Sequence, residues 1–198
     1  MQVNPTFSEE VINEMNLLDE FLSLTENILV NPFVAGGAPR DWFFNNTCSD
    51  IDIFVHPSTN KEELKLFIDE NPQLQFVREA SRDLIDSGAY SIGNIFDVLT
   101  LSFNYNSDSL KTIQIVFTDP TGNDLLKTFP VSICCLSYQN YSIRPTELFL
   151  KSVRDATLYL PETGQDLRNT PYVMKIRRKF NRHRMSEVSR EFYDTRVI

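Results

Sequence analysis

Apolar residues recur along this chain at two spacings, and the two spacings predict an alternation of helices and strands. In residues 8–25 and 60–70, apolar positions lie three and four apart, which is typical of a helix with one buried face. Shorter apolar runs, bounded by polar or glycine-containing turns, predict strands. These predicted strands lie at 32–36, 50–55, 73–79, 95–104, 111–118 and 131–138.

Further helices are predicted between and after these strands, and Pro161 is expected to end the third of them. They lie at 38–45, 122–128, 145–159 and 172–184. The order of elements predicts an α+β fold with a mixed β-sheet flanked by helices. We expect a core at 1–140 and a C-terminal helical extension at 141–198, packed as one compact unit.

The middle of the chain is predicted to hold a loop and a hairpin. Residues 80–94 show no regular spacing and contain Gly88 and Gly93, so we expect a mobile loop there, near the substrate. The polar segment Asn104–Ser109 lies between two apolar runs, which predicts that the strands on either side of it pair as a hairpin.

The segment with the most chemical information begins where a predicted strand runs into Gly36 and Gly37. Glycines at a helix start let backbone N–H groups approach a phosphate. The next predicted strand carries Asp50 and Asp52, which share a face because side chains alternate along a strand. Two close carboxylates repel each other unless a cation lies between them, and Mg²⁺ suits oxygen ligands. The segment predicts a phosphate cradle beside a metal site; the alternative is a solvent-facing edge strand.

This segment resembles the nucleotidyltransferase superfamily, which includes DNA polymerase beta. The resemblance is to the branch of CCA-adding enzymes and bacterial poly(A) polymerases, in which Gly-Gly-x-x-Arg-Asp and a short helix precede Asp-x-Asp on a strand. The matching residues here are Gly36, Gly37, Arg40, Asp41, Asp50 and Asp52. The chain is also similar to small nucleotidyltransferase-like proteins of bacteriophages. The resemblance covers about residues 32–56.

The resemblance implies specific roles for these residues. The two aspartates would be catalytic and would bind Mg²⁺ or Mn²⁺, while the two glycines would contact the phosphates of a bound NTP. Arg40 and Asp41 would belong to a helix that contacts the nucleotide. The alternative for Arg40 and Asp41 is a local ion pair or cap that fixes this helix, and the sequence leaves both open.

One position departs from the family's pattern. Many members carry a third carboxylate on a neighbouring strand, at the centre of an apolar-acid-apolar run. The matching run here is 112–117, which puts Gln114 at the third catalytic position. A glutamine is neutral and cannot act as a general base, although it can orient a water or the acceptor hydroxyl. Asp97 is the rival candidate, but the preferred register makes it a neighbour across the hairpin.

Charge is distributed unevenly along the chain. The net charge of −8 argues against non-specific nucleic-acid binding by the whole surface. Residues 172–190 hold seven cations and one carboxylate, so they carry +6 and the remainder carries −14. Four of these cations share one helical face and are predicted to contact RNA phosphates or the triphosphate. They are Lys175, Arg178, Lys179 and Arg182. The alternative is a solvated helix that balances the acidic body.

Other residue types narrow the class of protein. With 198 residues, 41% of them hydrophobic, the chain can form an ordinary folded core. The vicinal pair Cys134 and Cys135 is expected in a buried strand, since no cysteine has zinc-binding or redox spacing. His56 and His183 are expected to be structural or exposed. The polar first ten residues and the lack of a long apolar run predict a soluble, cytoplasmic protein without a membrane partner, in the host cytoplasm for a phage protein.

The sequence therefore predicts a metal-dependent nucleotidyltransferase. It would move a nucleoside monophosphate from an NTP to an acceptor hydroxyl and release pyrophosphate. By resemblance, RNA and in particular a tRNA end is the leading acceptor, with a protein hydroxyl or a small molecule as alternatives. The competing class is a binding protein, in which Gln114 marks a degenerate site that holds a nucleotide or RNA without turnover.

Overall fold

A computed structural model of the chain describes residues 7–80, 94–105, 109–163, 166–189, 191, 193 and 196–197. Most of the loop predicted at 80–94, with Gly88 and Gly93, lies outside these ranges. The helices are α1 (Glu9–Leu24), α2 (Gly37–Phe43), α3 (Lys61–Glu70), α4 (Asn123–Leu126), α5 (Glu147–Arg154) and α6 (Pro171–Lys179). The strands are β1 (Phe33–Ala35), β2 (Asp50–Val55), β3 (Leu74–Glu79), β4 (Asn94–Tyr105), β5 (Ser109–Asp119), β6 (Leu136–Gln139), β7 (Ser142–Pro145), β8 (Thr157–Pro161) and β9 (Arg184–Val188).

Side-chain caps fix where the longer helices begin. Ser8, Asn60, Thr146 and Thr170 each precede a helix, and each side chain accepts a hydrogen bond from the backbone N–H three residues on. Such caps satisfy N–H groups that the first turn of a helix leaves unpaired. Pro171 fits the first turn of α6 because its missing N–H has no partner there. In the described part of the chain, no helix is long and apolar enough to cross a bilayer.

The main sheet has seven strands in the order β3-β4-β5-β2-β1-β6-β7. Strand β2 runs parallel to β5, whereas the other neighbouring strands are antiparallel, so the sheet is mixed. The β4–β5 pair confirms the hairpin predicted around Asn104–Ser109. Helices pack on this sheet, and the α+β class predicted from the sequence is confirmed.

The two faces of the sheet enter two apolar cores. Ile51 and Ile53 of β2 point into a core that includes residues of α1 and α3. Phe54 points to the other face, into a core that includes residues of α5 and α6. Because side chains alternate along a strand, Asp50 and Asp52 lie on the α6 side of the sheet. Along β2, Phe54 is the residue that belongs to the second core. On the same face of this strand, the residues before Phe54 are the polar Asp52 and Asp50.

The C-terminal region is not wholly helical, which corrects two predictions. The helix predicted at 145–159 ends at Arg154, because Ala156 takes a left-handed conformation with φ 46°. Residues Thr157–Pro161 then form β8, which is buried at every position, so Pro161 ends a strand rather than a helix. The helix predicted at 172–184 ends at Lys179, and β9 pairs parallel with β8.

The strand predicted at 131–138 is also shorter than expected. Residues Ser132–Cys134 form a single 3₁₀ turn, and β6 starts only at Leu136. Cys134 and Cys135 are therefore buried, as predicted, but they lie before the strand rather than in it. Strand β7, which the sequence analysis missed, pairs with β6 and extends the main sheet to Pro145.

Candidate functional site

The turn between β1 and α2 depends on Gly36. Its φ of 83° and ψ of −117° form a backbone conformation that residues other than glycine rarely adopt. The Gly36 N–H donates to the Leu136 carbonyl at 3.2 Å, and the Gly36 carbonyl accepts from the Arg40 N–H at 3.2 Å. Gly37 is different, since the nearest atom to an added Cβ is Arg40 Nη2 at 3.9 Å. Gly36 shapes the turn, and Gly37 leaves room beside it.

Arg40 and Asp41 form an ion pair in the first helical turns after these glycines. Arg40 Nε donates to Asp41 Oδ1 at 2.8 Å, and both side chains are almost fully buried. Asp41 Oδ2 accepts from Lys179 Nζ at 2.6 Å. The local ion pair that the sequence left open is therefore present, and it also ties the end of α6 to α2.

The rest of the Arg40 guanidinium is held by neighbours of three kinds. Nη1 donates to Cys134 Sγ at 3.3 Å. The guanidinium carbon lies 5.8 Å from the centre of the Phe180 ring, within the range of a cation–π contact. Nη2 lies on the side of Gly37. A buried cation is thus aimed with one nitrogen toward the open part of the glycine turn.

Asp50 lies at the start of β2 and accepts hydrogen bonds on both oxygens. Gln114 Nε2 donates to Asp50 Oδ2 at 3.3 Å, and Ser49 Oγ donates to Asp50 Oδ1. In the parallel β2–β5 pair, Gln114 lies directly beside Asp52, so its predicted register is confirmed. Asp97 does not take this position, because it lies opposite Phe117 in the hairpin. Lys61 Nζ donates to the Asp97 carboxylate at 2.5 Å.

The surroundings of Asp52 disfavour its charged form. Burial and the neighbouring Asp50 carboxylate raise the pKa of Asp52 to about 7, while Lys175 and Arg40 act in the opposite direction. Among the described residues, no group of three or more His, Cys, Asp and Glu side chains could hold a metal ion. The two aspartates are nevertheless a suitable oxygen donor set for a divalent cation, because such an ion would relieve the repulsion between them.

Tyr172 and Cys134 complete this group, and sequence reasoning missed both as site residues. The Tyr172 hydroxyl donates to Cys134 Sγ at 3.3 Å. Burial raises the pKa of Tyr172 well above its ordinary value, with contributions from Cys134 and from Asp52. Tyr172 lies just before the basic residues in the sequence, and Cys134 was expected only to pack in a buried strand. No residue spacing therefore connected either of them to Asp52.

The four cations predicted on one helical face divide into two pairs. Lys175 interacts electrostatically with Asp52, and Lys179 is bound to α2 as described above. Arg178 is exposed on α6. Arg182 is also exposed, but it lies beyond the end of the helix, in the turn before β9. All four cations are exposed, and two of them, Lys175 and Lys179, also interact with Asp52 and Asp41.

A clamp on the opposite side of the sheet positions the chain just before Asp50. Glu14 of α1 accepts hydrogen bonds from Trp42 Nε1 at 2.8 Å and from the Cys48 N–H at 3.0 Å. Lys111 of β5 donates to Glu14 and to the Cys48 carbonyl. These bonds connect α1, α2 and β5 to the turn that leads into β2. They fix the backbone position from which the strand that carries both aspartates begins.

The arrangement as a whole suits a polyanion bound together with a divalent cation. Asp50 and Asp52 supply negative charge for the cation. Arg40 and Lys175 act on Asp52 as positive charges, and Arg40 Nη2 lies near the open side of Gly37. A ligand with several phosphates would match both parts of this site.

No protein-family model and no curated protein matches the sequence. Several solved structures are similar in fold, and three of them are described here. A tRNA-processing enzyme in an apo form has 12% identity and a TM-score of 0.56, over 92% of this chain and 45% of that one. A CCA-adding enzyme in an apo form has 13% identity and a TM-score of 0.56, over 91% and 41%. A CCA-adding enzyme in complex with CTP has 15% identity and a TM-score of 0.56, over 94% and 44%.

These similarities identify the fold. CCA-adding enzymes belong to the nucleotidyltransferase superfamily, so the chain has a nucleotidyltransferase-like fold, as the sequence predicted. The chain spans less than half the length of each of the three structures.

Proposed function

We propose that this protein is a metal-dependent nucleotidyltransferase that takes its nucleotide from an NTP. The observation that carries the proposal is that Asp50 and Asp52 share one face of β2, where Arg40 and Lys175 act on Asp52 as positive charges and Arg40 Nη2 lies near the open turn at Gly37. The carboxylates match a divalent ion, and the cations match the phosphates that the ion would accompany. The likeness in fold to CCA-adding enzymes supports the same class of reaction.

The reaction joins an acceptor oxygen to the α-phosphorus of the NTP. The bond from that phosphorus to pyrophosphate breaks, and the acceptor's proton passes to solvent. Asp50 and Asp52 would hold Mg²⁺ or Mn²⁺, which would supply positive charge for the phosphates. Arg40 and Lys175 would neutralise further negative charge, and the backbone at Gly36 and Gly37 would hold the β- and γ-phosphates.

RNA, and a tRNA end in particular, is the acceptor that we propose. Two observations support it: the similarity in fold to a structure described as a tRNA-processing enzyme, and the exposed cations Arg178 and Arg182. In this proposal, residues 1–140 hold the catalytic core and residues 141–198 add the basic surface. A protein hydroxyl or a small molecule is the alternative acceptor.

The second candidate function is nucleotide or RNA binding without turnover. The observation that favours it is Gln114, which occupies the strand position beside Asp52 where a third carboxylate would lie. A neutral amide can neither take the acceptor's proton nor add negative charge for a metal ion.

Label transfer separates the two functions. The protein is incubated with each NTP labelled at the α-phosphate, with Mg²⁺ or Mn²⁺ and total RNA, and calorimetry measures NTP affinity in parallel. The control is the double variant Asp50→Asn, Asp52→Asn. We expect label in RNA with the wild-type protein, and loss of both transfer and metal-dependent affinity in the folded double variant. Binding without transfer would favour the second candidate, and unchanged affinity in the double variant would contradict both.

A further inference from the structure

We infer that Gln114 limits this site to a single divalent cation, which would be bound together with the nucleotide. The inference rests on the proposed function, because it assumes that Asp50 and Asp52 hold that cation. Its structural basis is the hydrogen bond from Gln114 Nε2 to Asp50 Oδ2, at 3.3 Å. The other Asp50 oxygen accepts from Ser49 Oγ, so both oxygens already have a hydrogen-bond donor.

The orientation of the Gln114 amide follows from the chemistry of its partner. An ionised carboxylate can only accept hydrogen bonds, so the NH₂ end of the amide has to face Asp50. That NH₂ group lies at the strand position where a third carboxylate would lie by the resemblance. A nitrogen that donates two N–H bonds cannot serve as a metal ligand. Gln114 therefore puts a donor in the position where a second ion needs an acceptor.

At the described positions that pair with this part of β2 and β5, no replacement carboxylate is present. In the register of the sheet, Asp50 lies beside Thr112, and Asp52 lies beside Gln114. Across the hairpin, Thr100 is opposite Gln114, and Ser102 is opposite Thr112. Directly paired residues share a face of the sheet, and all of these partners are uncharged. Within these paired positions, the negative charge comes from the two aspartates of β2.

The consequence is a site that separates nucleotide binding from acceptor activation. The residues that hold the NTP and its ion are present, whereas the residue that would hold an ion at the acceptor oxygen is an amide. Transfer should therefore be limited by loss of the acceptor's proton rather than by nucleotide affinity. Restoring a carboxylate at position 114 should raise the number of bound ions from one to two.

The test counts bound Mn²⁺ by electron paramagnetic resonance of the free ion. Wild-type protein, Gln114→Asp and Gln114→Glu are titrated in the presence of the α,β-methylene analogues of ATP and CTP, which cannot transfer a nucleotide. Gln114→Asn is the matched control, because it keeps the amide. We expect one Mn²⁺ per chain in the wild type and in Gln114→Asn, and two in the acidic variants. The Glu variant is nearly isosteric, so it preserves the test if the Asp variant does not fold.

The outcomes distinguish this inference from the proposed function. Two Mn²⁺ ions per wild-type chain would overturn the inference and leave the proposed function intact. If the folded acidic variants also bind only one Mn²⁺ ion, the inference is overturned, because the amide of Gln114 would then not be what excludes a second ion. If the wild type binds no Mn²⁺ with either analogue, the proposed function fails, and the inference fails with it.

Discussion

At the scale of single residues, Asp52 is the clearest case of a side chain whose surroundings oppose its ordinary chemistry. Burial and the Asp50 carboxylate raise its pKa to about 7, and the two nearby cations offset this only in part. A buried carboxylate that stays near its point of titration at neutral pH costs stability unless a cation neutralises it. Asp52 therefore lowers the stability of the metal-free fold, and in the proposed function a bound cation would offset this loss.

The metal-free protein should lose stability as the pH rises from about 4 to about 7. The folded pKa of Asp52, about 7, lies above the ordinary 3.8, so the folded state keeps a proton that the unfolded state has already lost. The stabilisation is complete below about pH 4 and is lost as the pH rises through 7, by at most about 1.4 kcal/mol per pH unit. Thermal unfolding of the wild type and Asp52→Asn in EDTA measures this difference, and parallel pH profiles would contradict it.

The two glycines should respond differently to substitution. Gly36→Ala forces a side chain into a strained conformation, with φ 83°, and should destabilise the fold by about 1–3 kcal/mol. Gly37→Val meets no such strain, but it puts a branched side chain on the open side of the turn, so it should weaken triphosphate binding more than it lowers Tm. Calorimetry and thermal unfolding of both variants make the comparison. A collapse of stability in Gly37→Val would leave the phosphate role unsupported.

At the scale of elements, one ionic network joins the basic helix to the glycine turn. Asp41 of α2 accepts from buried Arg40 on one oxygen and from Lys179 of α6 on the other. Phe180 and Phe44 pack with their ring centres 5.6 Å apart at the same junction. Helix α6 is thereby docked on the element that begins at Gly37, and Lys175 of the same helix acts electrostatically on Asp52.

Removing Asp41 and removing Lys179 from this network should lower the free energy of unfolding by different amounts. Asp41→Asn leaves the buried Arg40 charge without its anion, and removing one partner of a buried pair costs about 3–5 kcal/mol. Lys179→Ala removes a partly exposed ammonium group, and we expect a loss of about 0–1 kcal/mol. Urea unfolding of both variants measures the contrast. Equal losses would mean that the network stabilises the fold mainly through the contact between α2 and α6.

At the scale of the whole molecule, the uneven charge should direct any RNA to one surface. The segment 172–190 carries +6, and the rest of the chain carries −14. Lys179 is held by Asp41, so the exposed Arg178 and Arg182 are the better candidates for phosphate contact. An acidic body repels RNA elsewhere, which makes the binding surface identifiable from its salt dependence.

Replacing Arg178 and Arg182 with Ala should flatten the dependence of RNA affinity on salt by up to about two units of slope, because each phosphate contact releases roughly one counterion. The control double variant Lys127→Ala, Lys151→Ala removes two cations that are paired locally on other helices. Fluorescence anisotropy over a range of salt concentrations measures both slopes. An unchanged slope with RNA still bound would place the RNA surface elsewhere, and no binding at any salt would favour a protein or small-molecule acceptor.

Several parts of the site could be predicted because they depend on local spacing. The alternation along β2 puts Asp50 and Asp52 on one face, and the apolar run of β5 places Gln114 at the position that the resemblance implies for a third carboxylate. The structure agrees with both placements, while the catalytic and metal-binding roles of these residues stay predictions. Local patterns suffice here because a strand's period is fixed by its backbone.

The sequence by itself determined the α+β class, the strand–glycine–helix unit and the pair of aspartates, since these follow from residue spacing within elements and from the order of the elements along the chain. Only the tertiary structure decided where the C-terminal residues lie. The chain at 157–161 reads as the end of a helix, but burial and pairing with 184–188 make it a strand. Likewise, Tyr172 and Cys134 meet Arg40 only through packing between distant segments. Such contacts depend on how elements pack, and no periodicity along the chain encodes them.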